Sequence, residues 1–366
     1  MSGDQPAADR PGVDPHCPVC GSLVFPETLR CPSCSTDLAF DPASGSFVAL
    51  DAAAGHHPCV NRDSRCSWLA DGDQPGTPCL SCRLTRRRPA DDDAAALRRL
   101  AKVAADKRRL LVQLIDLGLP IEPHYVKKGG LAFDLVSSVG GPPVTIGHSR
   151  GVITIDLAES LDVHRETLRV RFGEPYRTML GHFRHEIGHY YQRMLLDEPG
   201  AAPGTGELWE ECRRLFGDER ASYRAARERH YREGAPEGRI AHYISDYATM
   251  HPWEDFAETF AHYLHITGTL STAAYSGVVL QAERIAGFEH GDVVPRASYS
   301  GADFDEVLAD WRWLSLMFNR VNRSMGLRDL YPFGIVPPVA EKLAFVHRLV
   351  VGRARQAAGE ALRDDR

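Results

Sequence analysis

Eight of the nine cysteines lie within the first 82 residues, at spacings that commit this stretch to folding around metal ions rather than a hydrophobic core. Their order is Cys17-x-x-Cys20, ten residues, Cys31-x-x-Cys34, then Cys59, Cys66 and Cys79-x-x-Cys82. A C-x-x-C knuckle turns two thiolates toward one ion and four complete a tetrahedral Zn²⁺ shell, so eight sulfurs make two structural sites. Sequential pairing is the simplest assignment, with Cys17, Cys20, Cys31 and Cys34 on one ion and Cys59, Cys66, Cys79 and Cys82 on the other. Spacing alone also permits interleaved sharing. A rival reading, four disulfides in a secreted module, requires an export signal. Residues 1–14 are polar, contain Pro and Gly and have no apolar core, so the expected compartment is the cytoplasm.

The second constraint is His185-Glu186-Ile187-Gly188-His189. Four residues advance a helix by just over one turn, so His185 and His189 share a face and can chelate one Zn²⁺. Glu186 lies about 100° round the helix, where a carboxylate reaches a water beside the metal rather than the metal itself. Met179, Leu180, Phe183, Ile187, Tyr190, Tyr191, Met194 and Leu195 recur at three- and four-residue spacing. They predict a buried amphipathic helix over roughly 175–196, with Pro175 in its first turn.

Two histidines leave a catalytic zinc short of a ligand, because such sites use three protein ligands and keep a position for water. No third histidine follows closely: after His189 come Tyr190, Tyr191, Gln192, Arg193 and Met194. The ligand is therefore expected from the segment His251–His265, whose Trp253, Phe256, Ala257, Phe260, Ala261 and Leu264 form an apolar stripe at helical period. Glu254, Glu258 and His262 share a neighbouring face. That geometry suggests Glu254 on the metal and Glu258 accepting a hydrogen bond from the far nitrogen of a ligating histidine. Asp255, Glu258, His262 and His265 stay open as alternative ligands.

Over its 366 residues the chain is 43% hydrophobic and 25% charged, with no apolar run of membrane-spanning length, so no membrane partner is expected. The net charge of −6 gives no general attraction to nucleic acid. Arg83, Arg86, Arg87 and Arg88 make a local basic cluster, read as a solvated linker because Asp91-Asp92-Asp93 follow at once. The expected division is a tail at 1–14, a zinc-ribbon domain at 15–90, a catalytic domain at 91–352 and a tail at 353–366. Helices are predicted over 92–117, 158–172, 206–233, 304–325 and 337–352, short strands over 131–136 and 152–155, and a lid-like connector over 198–205. Cys212, alone in the second half, reads as a small buried hydrophobe.

The HExxH motif with a distant glutamate on a second helix resembles the gluzincin metallopeptidases. Glu254-Asp-Phe-Ala-Glu258-Thr-Phe is similar to the third-ligand helix of the anthrax lethal factor type. That resemblance implies Glu254 as ligand and a tyrosine seven residues earlier, here Tyr247, as oxyanion donor, with Tyr243 and His251 as weaker alternatives. More closely, the chain resembles a bacterial family of zinc-binding metallopeptidases with an N-terminal zinc ribbon. The matching blocks are Cys-Pro-Val-Cys at 17–20, Cys-Leu-Ser-Cys-Arg-Leu-Thr at 79–85, Gly130-Leu-Ala-Phe-Asp134, Glu174 to Tyr191, Phe216-Gly-Asp-Glu-Arg220 and the 251–266 segment. The implied fold is α+β, a mostly helical gluzincin-like catalytic domain behind a double zinc ribbon. In such folds an edge strand beside the active-site helix pairs with extended substrate, and Val152–Ile155 is the candidate, against an ordinary internal strand.

The expected function is zinc-dependent hydrolysis of a peptide or protein substrate. One catalytic Zn²⁺ is held by His185, His189 and Glu254, Glu186 serves as general base and Tyr247 as oxyanion donor, and two further Zn²⁺ are structural. The alternatives are a zinc-ribbon scaffold that binds nucleic acid or a protein beside a vestigial HExxH domain, and a hydrolase of a non-peptide amide.

Overall fold

The computed structural model describes residues 13–51, 54–72, 74–139, 142–160, 178–197, 202–285 and 291–364. The tail up to residue 12, Pro175, most of the predicted 158–172 helix and residues 198–201 of the connector lie outside the described residues.

The cysteine-rich segment opens with two knuckles and a hairpin, β1 (Leu38–Asp41) paired antiparallel to β2 (Ser46–Ala49). Phe40, Phe47 and Trp68 form its aromatic packing, with rings 5.5 and 5.6 Å apart, joined by the buried Val24 and Leu38. So small a core leaves the metal sites to hold the segment together. After Cys79 come a single helical turn, α1 (Leu80–Arg83), and then β3 (Thr85–Arg87).

The arginine cluster is therefore not a solvated linker, because β3 runs through it and pairs in parallel with β4 (Ala132–Val136). Arg86 binds Asp134 through two bonds, Arg83 pairs with Asp71, and Arg88 pairs with Asp91. The sheet is ordered β3-β4-β6-β5, with β6 (Val152–Asp156) parallel to β4 and β5 (Gly147–Ser149) antiparallel to β6. Arg150 and Gly151 form the two-residue turn between β5 and β6 at φ 51° and 86°. Residues 152–155 are consequently internal, bonded on both sides, and among the described residues the sheet ends in β3 on one side and β5 on the other. The sequence shows only a turn over 147–151, because three residues carry too little alternation to mark a strand.

Helix α2 (Ala94–Asp116) is capped by Asp93, whose carboxylate accepts from the Ala96 amide. It lies under the sheet and clamps the ribbon to it. Lys107, 1% exposed, donates to the Ser81 carbonyl and the Thr85 hydroxyl, and Arg108 donates to the Arg65 carbonyl. Ribbon and sheet thus share a strand and a buried ammonium.

Helix α3 (Met179–Leu196) carries the HExxH motif and starts at Thr178, whose hydroxyl accepts from the Gly181 amide. Helix α6 (Pro252–Tyr275) carries Glu254 and Glu258 behind a proline at its first position. Between them Tyr191 stacks on Phe260 and Phe260 on Phe256. Gly188 sets their separation, since a Cβ there would stand 2.9 Å from the Ala257 Cα and 3.0 Å from its carbonyl oxygen. Gly188→Ala should lose about 1–3 kcal/mol to overpacking, offset by up to ~1 kcal/mol of helix propensity, with weaker zinc binding as the helices part. Denaturant midpoints and zinc titration check this, and an unchanged midpoint would show that the helices can slide apart freely.

The predicted 206–233 helix is two, α4 (Glu207–Phe216) and α5 (Tyr223–Glu233), broken at Gly217, which takes φ 96°. Helix α7 (Phe304–Ser324) begins with a reciprocal Asp303–Glu306 capping box. Helix α8 (Pro337–Asp364) runs through most of the stretch expected to be a C-terminal tail. Its buried Val339, Leu343, Val346 and Val350 keep helical spacing, and nothing after Val350 breaks the helix. Among the described residues no helix is long and apolar enough to cross a membrane. Cys212 is buried, at 2% exposure.

Candidate metal centre

The close approach of α3 and α6 brings His185, His189 and Glu254 together, with one ligand atom of each within 4.8 Å of the others. Glu254 Oε2 stands 3.0 Å from His185 Nε2 and 3.4 Å from His189 Nε2. A tetrahedral ion with bonds of about 2.0–2.1 Å has ligand-to-ligand edges of roughly 3.3–3.4 Å, so these separations match a zinc shell.

The hydrogen bonds around the trio argue for positive charge there, independently of distance. The Glu258 carboxylate accepts from His185 Nδ1 at 2.8 Å and from the Ser245 hydroxyl at 2.6 Å. Burial disfavours charge on His185, but the Glu254 and Glu258 carboxylates outweigh it and hold the imidazole well above its ordinary range, so without an ion Nε2 carries a proton toward Glu254. The Tyr223 hydroxyl donates to Glu254 Oε1 at 2.8 Å, while Oε2, buried, has no hydrogen-bond partner among the described residues. Burial opposes charge on Glu254, yet the His189 and His185 imidazoles hold its carboxyl well below the usual carboxylate range. A buried anionic oxygen against two imidazole nitrogens calls for positive charge at that point, supplied by ring protons or by a metal ion in their place.

Glu186 lies on the cleft side of α3, 6% exposed, with Oε1 3.2 Å from His182 Nε2. Its Oε2 is the nearest atom to where a Cβ on Gly147 of β5 would stand, at 3.9 Å. The carboxylate therefore sits between the motif helix and the sheet edge. Burial alone would raise its pKa, but the His182 hydrogen bond and the imidazoles of His185 and His189 outweigh that and hold it at about 2. Tyr247 packs 5.7 Å from the His185 ring. Burial, and after it the Glu254 carboxylate, push this phenol well above its ordinary range, so it keeps its proton.

The alternative ligands are held elsewhere. Asp255 pairs with Lys342 at 2.6 Å, His262 Nδ1 bonds the Tyr331 hydroxyl at 2.8 Å, and His265 Nδ1 meets Arg184 at 2.6 Å. The weaker oxyanion candidates are also committed. Tyr243 lies under the Lys342 ammonium, and His251 caps α6 through the Trp253 amide while its Nε2 donates to the Ala221 carbonyl. Four residues of the site carry no sequence expectation: Tyr223, Ser245, His182 and His148. Tyr223 and Ser245 belong to no motif and reach α6 only through the fold. His182 precedes Glu186 by one helical turn and was legible in principle. His148 is on β5, its ring 6.4 Å from that of His189, and burial followed by the His189 charge lowers it to about 4.

The cysteines fall into two separate groups, Cys17, Cys20, Cys31 and Cys34 in one and Cys59, Cys66, Cys79 and Cys82 in the other. Sulfur separations of 3.6–3.8 Å fit the edge of about 3.8 Å implied by Zn–S bonds of roughly 2.3 Å. Lys107 lies near the second group; burial pulls its ammonium down to about 8, a drop that Cys82 and Cys79 partly oppose.

A large cleft, about 1450 Å³, opens over the centre between β5, α3, α5 and the 239–247 segment. HExxH helix, facing carboxylate helix, open cleft and two four-cysteine groups together define a chain built to bind metal ions, with one of the three groups open to a cleft. The family model described as "Putative zinc-binding metallo-peptidase" matches residues 96–349, and a zinc-ribbon domain model matches residues 15–93. The chain belongs to this zinc-binding metallopeptidase family. It is 44% identical over 343 residues to an uncharacterized protein of Mycobacterium tuberculosis and to one of Mycobacterium bovis, with 92% of this chain and 95% of each relative covered. No solved structure matches the chain.

Proposed function

We propose that the protein is a zinc-dependent peptidase of the gluzincin type, using His185 Nε2, His189 Nε2 and Glu254 Oε2 as metal ligands. The observation that carries this reading is the buried Glu254 Oε2 set 3.0 and 3.4 Å from two imidazole nitrogens, with the other Glu254 oxygen held by Tyr223. Zinc bound there would lower the pKa of a water to about 7 and polarise the scissile carbonyl. Glu258, anchored by Ser245, fixes the His185 tautomer and keeps its Nε2 free to ligate. Ionised Glu186 takes the proton of the attacking water on its carboxylate and passes it to the leaving nitrogen. Tyr247, which retains its phenolic proton, donates to the developing oxyanion of the substrate.

The β5 edge, Gly147–Ser149, borders the cleft and offers unpaired backbone groups along which an extended chain can lie. This favours a peptide over a small non-peptide amide. Nucleic acid is a poor fit to the ribbon, whose arginines 83, 86 and 88 are bound to carboxylates. The two four-cysteine sites need reduced thiols, which suits the cytoplasm.

Digestion of a proteome-derived peptide library tests the proposal. Fully loaded protein should cleave a subset of peptides, chelator treatment should abolish cleavage, and zinc should restore it. Cleavage that survived removal of all metal would rule the mechanism out.

A further inference from the structure

Five arginines, Arg150, Arg193, Arg220, Arg227 and Arg239, line the cleft, matched in number by five carboxylates, three of which belong to the metal centre. Apart from Glu186, Glu254 and Glu258 of the metal centre, the lining acids are Glu219 and Asp246. Both are engaged: Glu219 accepts two bonds from Arg213, and Asp246 pairs with Arg239. Arg220 is bound to its neighbour Asp218, and Arg193 lies 3.6 Å from Asp197.

Two guanidinium groups remain without a carboxylate partner among the described residues, and they belong to different walls of the cleft. Arg227 is on α5, one helical turn beyond Tyr223, whose hydroxyl donates to Glu254. Arg150 is in the turn at the end of β5, where it takes φ 51°, a left-handed conformation that glycine or asparagine adopts at less cost. A strained turn position occupied by a long cation beside the proposed substrate edge, with a second uncommitted cation on α5 lining the same cleft, supplies the parts of a clamp for an anionic substrate group.

We infer that the cleft selects peptides bearing carboxylates, with Arg227 and Arg150 as specificity-determining residues. The inference rests on the peptidase reading above and names its substrate class. Asp or Glu side chains flanking the scissile bond are the carboxylates meant, and a free peptide C-terminus is the other source of the same chemistry.

The test compares matched peptides with Asp or Glu, Gln, or Lys beside the cleavage site, each with amidated and free C-termini, on the zinc-loaded full chain. A charged hydrogen-bonded pair predicts a preference of about 10–100-fold in kcat/KM for acidic over Gln peptides, carried mainly by KM. That ratio should fall toward one in Arg150→Gln/Arg227→Gln and tip toward Lys peptides in Arg227→Glu. A preference confined to free C-termini would assign the clamp to the terminal carboxylate and overturn the side-chain selection. Equal kcat/KM for acidic and Gln peptides, or a preference that survives in the double variant, would also overturn it. Equilibrium binding of the same peptides to zinc-loaded Glu186→Gln separates the two readings. If wild type cleaves nothing, the peptidase reading fails, while an arginine-dependent preference in binding still supports the clamp and its absence removes it.

Discussion

Glu186→Gln should keep the wild-type zinc content and lower peptide hydrolysis by about 10²–10⁴-fold, the usual worth of a positioned general base. The substitution is nearly isosteric. It preserves the bulk of a side chain packed between α3 and β5, and its amide can still meet His182. What it removes is the ability to take and return a proton. Because Glu186 is not one of the three converging ligand groups, zinc per chain should not change. Single-turnover assays with zinc analysis on the same sample check both halves. Activity within a few-fold of wild type would transfer the base role to another cleft group, with His182 the nearest.

Glu254→Ala acts at the opposite end of the same chemistry. Loss of an outer hydrogen-bond partner typically weakens a metal site by about 10–100-fold, and loss of a direct charged ligand should exceed that. Zinc per chain should drop from three to two, since the two four-cysteine groups are separate from the helix pair. Hydrolysis should vanish with the third ion. The change also strands the Tyr223 hydroxyl and shortens a 3% exposed side chain, so a circular dichroism spectrum must accompany the metal count. A folded variant retaining three zincs would show that Glu254 is not a ligand.

How much of this was legible beforehand depended on whether the signal was local. The helix pair was readable because helical period fixes which residues share a face, placing His185 with His189 and Glu254 with Glu258, while Asp255, Glu258, His262 and His265 stayed open as ligands. The C-x-x-C knuckles were readable as local turns, whereas the division of the eight cysteines into two groups was open until the fold brought Cys59 and Cys66 to Cys79 and Cys82. Edge identity was not legible. Residues 147–149 become a strand only because β6 offers them a partner, and three residues show no usable alternation. Tyr223 and Ser245 were also hidden, because their roles depend on distances set by α5 and the 239–247 segment folding over α6. Gly188 was visible only as an uncharged residue inside the motif. Its packing role exists only in the presence of Ala257.

The strand shared between the cysteine-rich segment and the sheet bears on how the molecule can be dissected. Cutting near residue 90 would strip β3 from β4, leave Asp134 without Arg86 and deprive the Lys107 ammonium of both its oxygen acceptors. A fragment starting there inherits a raw sheet border and an interior cation with nothing to face. The amino-terminal module is therefore a wall of the house rather than its porch, and chelators that empty its ions should loosen the hydrolase body along with it.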